Sequence, residues 1–197
     1  MISGVVFDMD GTITKPVLDF AAIRREVGAP KEGPPVLEFF ESLAPKEKAR
    51  AFEILLRHER RAAKIAEFND GAEQLLDYLK RENLPCGLLT RNGDATTRQV
   101  MEKLGLEFSV VVTRDTGVGL KPSAEPLLYI AREWRLKPEQ VLMVGDFLYD
   151  ILMGRRAGCR TAFLTNGQAI PQELDADMVI TALDELIPLL TLDRSTQ

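Results

Sequence analysis

Two carboxylates, Asp8 and Asp10, stand two residues apart at the end of an uncharged run, in the segment VVFDMDGTIT at 5–14. A strand sends residues i and i+2 to the same side, so both acids face one place while the strand persists. Gly11 then lets the backbone turn and come close to a bound anion. The fixed residues of D-x-D-G-T recur by chance in roughly 1 in 10⁵ windows, so acids that merely solvate a strand end account poorly for the segment. Further along, apolar runs end in Thr90 and in Gly145-Asp146, with Asp150 one helical turn later, and a glycine-containing loop after a third run carries Lys121 in VGLKPSAEP.

Collected at one place, several acids, one hydroxyl and one lysine make a site for a divalent cation and a phosphate. Hard carboxylate oxygens suit Mg²⁺, which binds through one or two carboxylates plus phosphate and water. Singly, each position has a plainer reading. Asp146 could cap the following helix, Asp150 could be a structural helix acid, Lys121 a surface lysine and Thr90 an ordinary strand end.

The elements around these residues supply the common edge. Residues 5–7 read as a buried strand, β-branched and aromatic. From residue 69 onward, expected strands at 84–90, 108–112, 141–144, 159–164 and 178–180 alternate with expected helices starting at Asn69-Asp70-Gly71 and covering 96–104, 123–134, 149–157 and 183–190. Alternation with short links means βαβ units and a mostly parallel sheet, whose strands present ligands at their carboxyl ends. Residues 15–68 carry no strand signal. They read as helices at 17–27, from Pro34-Pro35 through Leu43, and at 46–68. On the last, Phe52, Leu55, Leu56, Ala62, Ala63 and Ala66 share one face.

The chain of 197 residues is 45% hydrophobic, enough for a core, and its net charge of −5 argues against non-specific nucleic-acid binding. No run has the apolar length of a membrane span. The N-terminus lacks the basic region of a signal peptide, and its apolar run breaks at Asp8. Cys86 and Cys159 read as buried free thiols of a reducing cytoplasm, too few for a zinc site.

DMDGT at 8–12, Thr90, Lys121-Pro122, GDFLYD at 145–150 and Ala157-Gly158, in that order and spacing, resemble the haloacid dehalogenase-like superfamily. The similarity is to its phosphatase branch with a small helical cap after the first strand, of phosphoglycolate-phosphatase-like type. The resemblance implies a Rossmann-like three-layer α/β core at 1–14 and 69–197, and an all-helical cap at 15–68. It implies a cytoplasmic, Mg²⁺-dependent enzyme, monomer or homodimer, acting on a small phosphorylated metabolite, with neither nucleic acid nor membrane as partner. Asp8 resembles the nucleophile that forms an aspartyl-phosphate, and Asp10 the general acid and base. Met9, Thr90, Arg91 and Lys121 take the phosphate- and substrate-binding positions. Asp8, the backbone carbonyl of Asp10, and Asp146 would hold the metal, with Asp150 behind them orienting Lys121 or a metal-bound water.

Two positions depart from the family pattern. Arg91 stands where Asn usually follows Thr90, with Asn92 one residue later, and Phe147 stands where a small hydroxyl residue is common. Asp10 argues against dehalogenation, since a leaving halide needs no proton. The remaining alternatives are a phosphomutase, although no His lies at 15–20, a phosphonatase, although no Schiff-base lysine is identifiable, and a non-catalytic binding protein on the same fold.

Residues 15–68 hold eleven Lys and Arg against nine Asp and Glu, while the rest of the chain is acidic. Arg57, Arg60, Arg61 and Lys64 fall at i, i+3, i+4 and i+7 opposite the apolar stripe. This row could face the cleft and attract an anionic substrate, or form a solvated outer face. His58, the only histidine, reads as a surface residue without partners.

Overall fold

Val5, Val6 and Phe7 are all fully buried, which a strand achieves only with cover on both faces. The computed structural model describes residues 1–195, with side chains described through residue 192. Residues 196 and 197, assigned with the core from the sequence, lie outside the described residues. Among the described residues six strands, β1 (Gly4–Phe7), β2 (Cys86–Leu89), β3 (Val110–Val112), β4 (Val141–Gly145), β5 (Arg160–Leu164) and β6 (Met178–Ile180), form one sheet of order β3-β2-β1-β4-β5-β6. Every pairing is parallel. The mostly parallel α/β architecture expected from the alternation is therefore present, with strands shorter than predicted at β2 and β3.

Helices cover the sheet on both sides. The helices in chain order are α1 (Phe20–Glu26), α2 (Val36–Glu41), α3 (Pro45–Ile65), α4 (Ala72–Arg81), α5 (Asp94–Leu104), α6 (Glu125–Glu133), α7 (Leu148–Ala157) and α8 (Leu186–Ser195), and α4 to α8 supply the cover of the sheet. Val5, Phe7, Leu88, Leu142 and Val144 pack with Leu75 and Leu79 of α4, Val100 of α5 and Leu186 of α8. The alternate residues Val6, Leu89 and Met143 pack with Leu127 and Ile130 of α6 and Met153 of α7. This period-2 split of an uninterrupted apolar run gives three layers. Among the described residues no helix is long and apolar enough to cross a membrane.

Helices α1, α2 and α3 share a separate apolar cluster of Ile23, Val36, Phe40, Ala51 and Leu55. The chain leaves and rejoins the sheet layer through two segments bonded to each other. Lys15 N–H donates to the Glu67 carbonyl at 3.0 Å, and Asn69 N–H to that of Ile13 at 2.9 Å. Helix α3 ends at Ile65 rather than at 68, because Phe68 bridges to Thr14 instead.

Three sequence expectations need correction here. The buried face of α3 includes Glu59, which an apolar stripe did not foretell. His58 is mostly buried, its side chain 11% exposed, with Nε2 3.1 Å from Glu26 Oε1 on α1. Cys86 is only half-buried, whereas Cys159 is buried, and both are free thiols. Burial raises the Cys86 thiol, and burial followed by the charge of Glu139 pushes Cys159 up to about 12, so neither is a ready thiolate.

Candidate active site

Strand order reverses between β1 and β4, the one place in this sheet where neighbouring strands lead away in opposite directions. Open parallel sheets bind ligands at the carboxyl ends beside such a switch point. Asp8 follows β1 and Asp146 follows β4, and the Asp8 N–H donates to the Val144 carbonyl at 2.9 Å, so the register of the two strands fixes both acids. Thr90 follows β2, its N–H bonded to the Val112 carbonyl at 2.9 Å.

Lys121 is the pivot of the buried charge. Its Nζ donates to Asp8 Oδ1 and lies 2.7 Å from Asp150 Oδ1. Asp150 also accepts from the Phe147 N–H at 3.1 Å, which ties the start of α7 to the site. Oxygens of Asp8, Asp146 and Asp150 all lie within 4.8 Å of one another. Close approach of backbone makes this possible. Gly11 has φ +82°, and a Cβ there would sit 2.1 Å from Asp146 Oδ2; a Cβ on Gly145 would sit 2.3 Å from the Asp150 Cβ. Side chains at these two positions would expel the carboxylates.

The electrostatics follow from burial of like charges. Burial, then the charges of Asp8 and Asp150, raises Asp146 to about 8. Burial, then Asp8 and Glu59, raises Asp10 to about 7. Burial raises Asp150 to about 6, against the pull of Lys121. Burial pushes Lys121 down, but Asp150 and Asp8 outweigh it and hold it above the usual lysine value. One ammonium does not neutralise three convergent carboxylates, and their donor set is entirely oxygen. A hard divalent cation fits both facts.

Asp8, Asp10, Thr90, Arg91, Lys121, Asp146 and Asp150 line one cleft of about 690 Å³ between the sheet edge and the helices of residues 15–68. Met9 differs: its side chain is fully buried in the core, and its carbonyl accepts from the Thr12 and Thr14 N–H groups. The side chain of Asp10 turns to Asn92, whose Nδ2 donates to Oδ2 at 2.8 Å. Of the basic row, none of Arg57, Arg60, Arg61 and Lys64 lines this cleft. Arg57 pairs instead with Glu26 on α1. The reading in which the row faces the substrate therefore fails.

Several polar residues of the site were not singled out from the sequence. Asn166 Nδ2 donates to the Gly11 carbonyl at 2.6 Å and to Asp146 Oδ2 at 3.3 Å, and Asn69 Nδ2 also donates to the Gly11 carbonyl. Glu59 of α3, 2% exposed, accepts from Arg114 Nη1 at 2.8 Å and from Thr96 Oγ1 at 3.3 Å. Asn69 follows the strap that closes residues 15–68, and Asn166 sits in a loop after β5, where no periodicity marks a residue.

The model of the haloacid dehalogenase-like hydrolase family matches residues 2–158. The chain belongs to this family. The hydrolase is 30% identical to the N-acetylmuramic acid 6-phosphate phosphatase of Pseudomonas aeruginosa, over 96% of this chain and 95% of that one. It is 28% identical to the phosphoglycolate phosphatase of Chromobacterium violaceum, over 96% of each. The crystal structure of a hydrolase from Pseudomonas syringae shares the fold with a TM-score of 0.83 at 24% identity, covering 96% of this chain and 98% of that one.

Proposed function

We propose that this hydrolase cleaves small phosphomonoesters with Mg²⁺, through transfer of the phosphoryl group to Asp8. The observation that carries the reading is the contrast between two acids of one cleft. Asp8 is bonded by an ammonium, while Asp10 has no bonded cation and is raised to about 7. Environments that differ in this way separate a nucleophile from a proton carrier.

The Asp8 carboxylate oxygen forms a bond to phosphorus as the bond from phosphorus to the alcohol oxygen breaks. Asp10 gives its proton to that leaving oxygen. Asp10 then takes a proton from water as the water oxygen attacks phosphorus, the Asp8 oxygen leaves, and phosphate is released. Thr90 and adjacent backbone N–H groups bind phosphate oxygens, and Lys121 holds Asp8 in line. Asp8, Asp146 and the backbone carbonyl of Asp10 would hold Mg²⁺, with Asp150 supporting them. When bound, the cation supplies charge that lets two anions meet and offsets charge in the transition state. Residues 15–68 serve as the cap that closes over the substrate.

Phosphate release from a panel of phosphorylated metabolites tests the reading. Release is expected with Mg²⁺, reduced by Ca²⁺, whose larger and looser shell fits the site less well. Undiminished release in excess chelator would contradict it.

A second expectation concerns stability. Asp146 has a folded pKa of about 8 against an ordinary 3.8. Its contribution to stability is present at acid pH and is lost as pH rises through about 8, because the folded state binds the extra proton. Mg²⁺ competes with that proton, so its thermal stabilisation of the protein should grow between pH 6 and pH 8.5. Differential scanning fluorimetry would show this; a shift independent of pH would count against Asp146 as a ligand.

A further inference from the structure

Phe20 and Phe147 are large apolar residues left about half exposed, at 54% and 49%. Both line the cleft that holds Asp8 and Asp10. They reach it from two parts of the chain. Phe20 opens α1 among the helices of residues 15–68, and Phe147 stands between Asp146 and the start of α7. The Phe147 ring lies 5.2 Å from that of Tyr149, tilted by 56°. Leu18, Val36 and Leu37 extend the apolar lining. A single exposed phenylalanine is ordinary on a surface. Two of them in one cleft, with a third ring and three aliphatic side chains, form an apolar patch of the kind that marks a ligand-binding groove.

The cations of the cleft are already engaged. Lys121 is taken by Asp8 and Asp150. Arg91 Nη2 donates to Glu38 Oε1 at 2.8 Å, and Arg114 bonds Glu59 with both terminal nitrogens. Arg24 uses Nε, Nη1 and Nη2 on the carbonyls of Pro30 and Pro34. A second anion, on the alcohol portion of a substrate, would compete with Glu38 and Glu59 for partners they hold. The cleft, at about 690 Å³, is far larger than a phosphoryl group. An apolar, uncharged group loses nothing to the paired charges and gains by covering Phe20 and Phe147 from water.

We propose that Phe20 and Phe147 select phosphomonoesters whose alcohol portion is apolar and uncharged, and that the two rings cover that portion while the phosphoryl group sits at Asp8. The proposal rests on the phosphomonoesterase reading above and names its substrate class. That class excludes phosphoglycolate, whose alcohol portion ends in a carboxylate and offers little apolar surface to bury. Phe20 and Phe147 act here as specificity-determining residues, one carried by the helices of residues 15–68 and one by the sheet edge. Because both are about half exposed, replacing either leaves the buried clusters of the fold intact.

The test is calorimetric titration of the full chain with Mg²⁺. The ligands are methylphosphonate, butylphosphonate, benzylphosphonate and 3-phosphonopropionate. The readout is the affinity of each relative to methylphosphonate. The wild-type protein should prefer benzylphosphonate to methylphosphonate by about tenfold or more, and should bind butylphosphonate more tightly than 3-phosphonopropionate. Phe20→Ser and Phe147→Ser should each lower the benzyl preference severalfold, and Phe147→Leu should retain part of it. A benzyl preference that either Ser variant leaves unmoved would overturn the proposal, as would tighter binding of 3-phosphonopropionate than of butylphosphonate. Binding of methylphosphonate with no gain from an apolar tail would overturn it while leaving the phosphomonoesterase reading intact. Failure of every phosphonate to bind would overturn both.

Discussion

Asp8→Asn is expected to lower turnover of p-nitrophenyl phosphate by roughly 10⁴-fold or more, the scale seen when a nucleophile is removed. The amide is nearly isosteric, so the loss is chemical. An amide oxygen is a poor nucleophile toward phosphorus. The substitution also removes one of the two carboxylates against which Lys121 is held and one of the three that converge at the sheet edge. Leftover activity within tenfold of wild type in steady-state assays would show that another group attacks.

Lys121→Met should be the second most damaging change, through both activity and stability. Met matches the length of the stem but leaves Asp8 and Asp150 facing each other without the cation between them. Breaking a buried ion pair from one side costs about 3–5 kcal/mol while the orphaned group stays charged. Asp150, raised by burial to about 6 against the pull of Lys121, loses that pull and rises further. A raised folded pKa supports stability at acid pH and withdraws it as pH increases. Urea unfolding without metal should therefore show a larger loss for Lys121→Met at pH 8 than at pH 5. Activity should fall by about 10²–10³-fold, as when one preorganised donor is removed from a charged transition state. Equal destabilisation at both pH values would mean that Lys121 acts through packing and not through charge.

The parts of this protein legible in the sequence are those where local chemistry and chain direction coincide. Asp8 and Asp10 stand out because a buried strand cannot carry acids in its interior, so acids at its end mark an edge. Thr90, Lys121 and Asp146 repeat that logic, and the cleft brings their side chains together. Strand order was not legible, because Val5, Leu88 and Val144 are interchangeable as apolar strand residues and pairing depends on crossovers. Asn92 was legible only as displaced by Arg91, without a role, yet the turn after β2 aims Asn92 at Asp10 and Arg91 at Glu38. Glu59 was hidden by position. An acid four residues from Leu55 on an apolar stripe looks like an interruption until Arg114 arrives from a distant loop. The basic row on α3 was misleading in one of its two readings, since a helical face free of apolar residues says nothing about which neighbour it meets.

The most direct measurement follows the phosphoryl group itself. In the proposed mechanism, Asp10→Asn removes the base that activates water, worth about 10²–10⁴-fold, while Asp8 should still attack p-nitrophenyl phosphate, whose leaving group needs little protonation. Acid-quenched Asp10→Asn protein, incubated with Mg²⁺ and that ester, should carry one phosphoryl adduct by intact mass, and peptide mapping should place it on Asp8. The Asp8→Asn protein should carry none. An adduct on any other residue, or phosphate release by Asp8→Asn at the wild-type rate, would contradict the account.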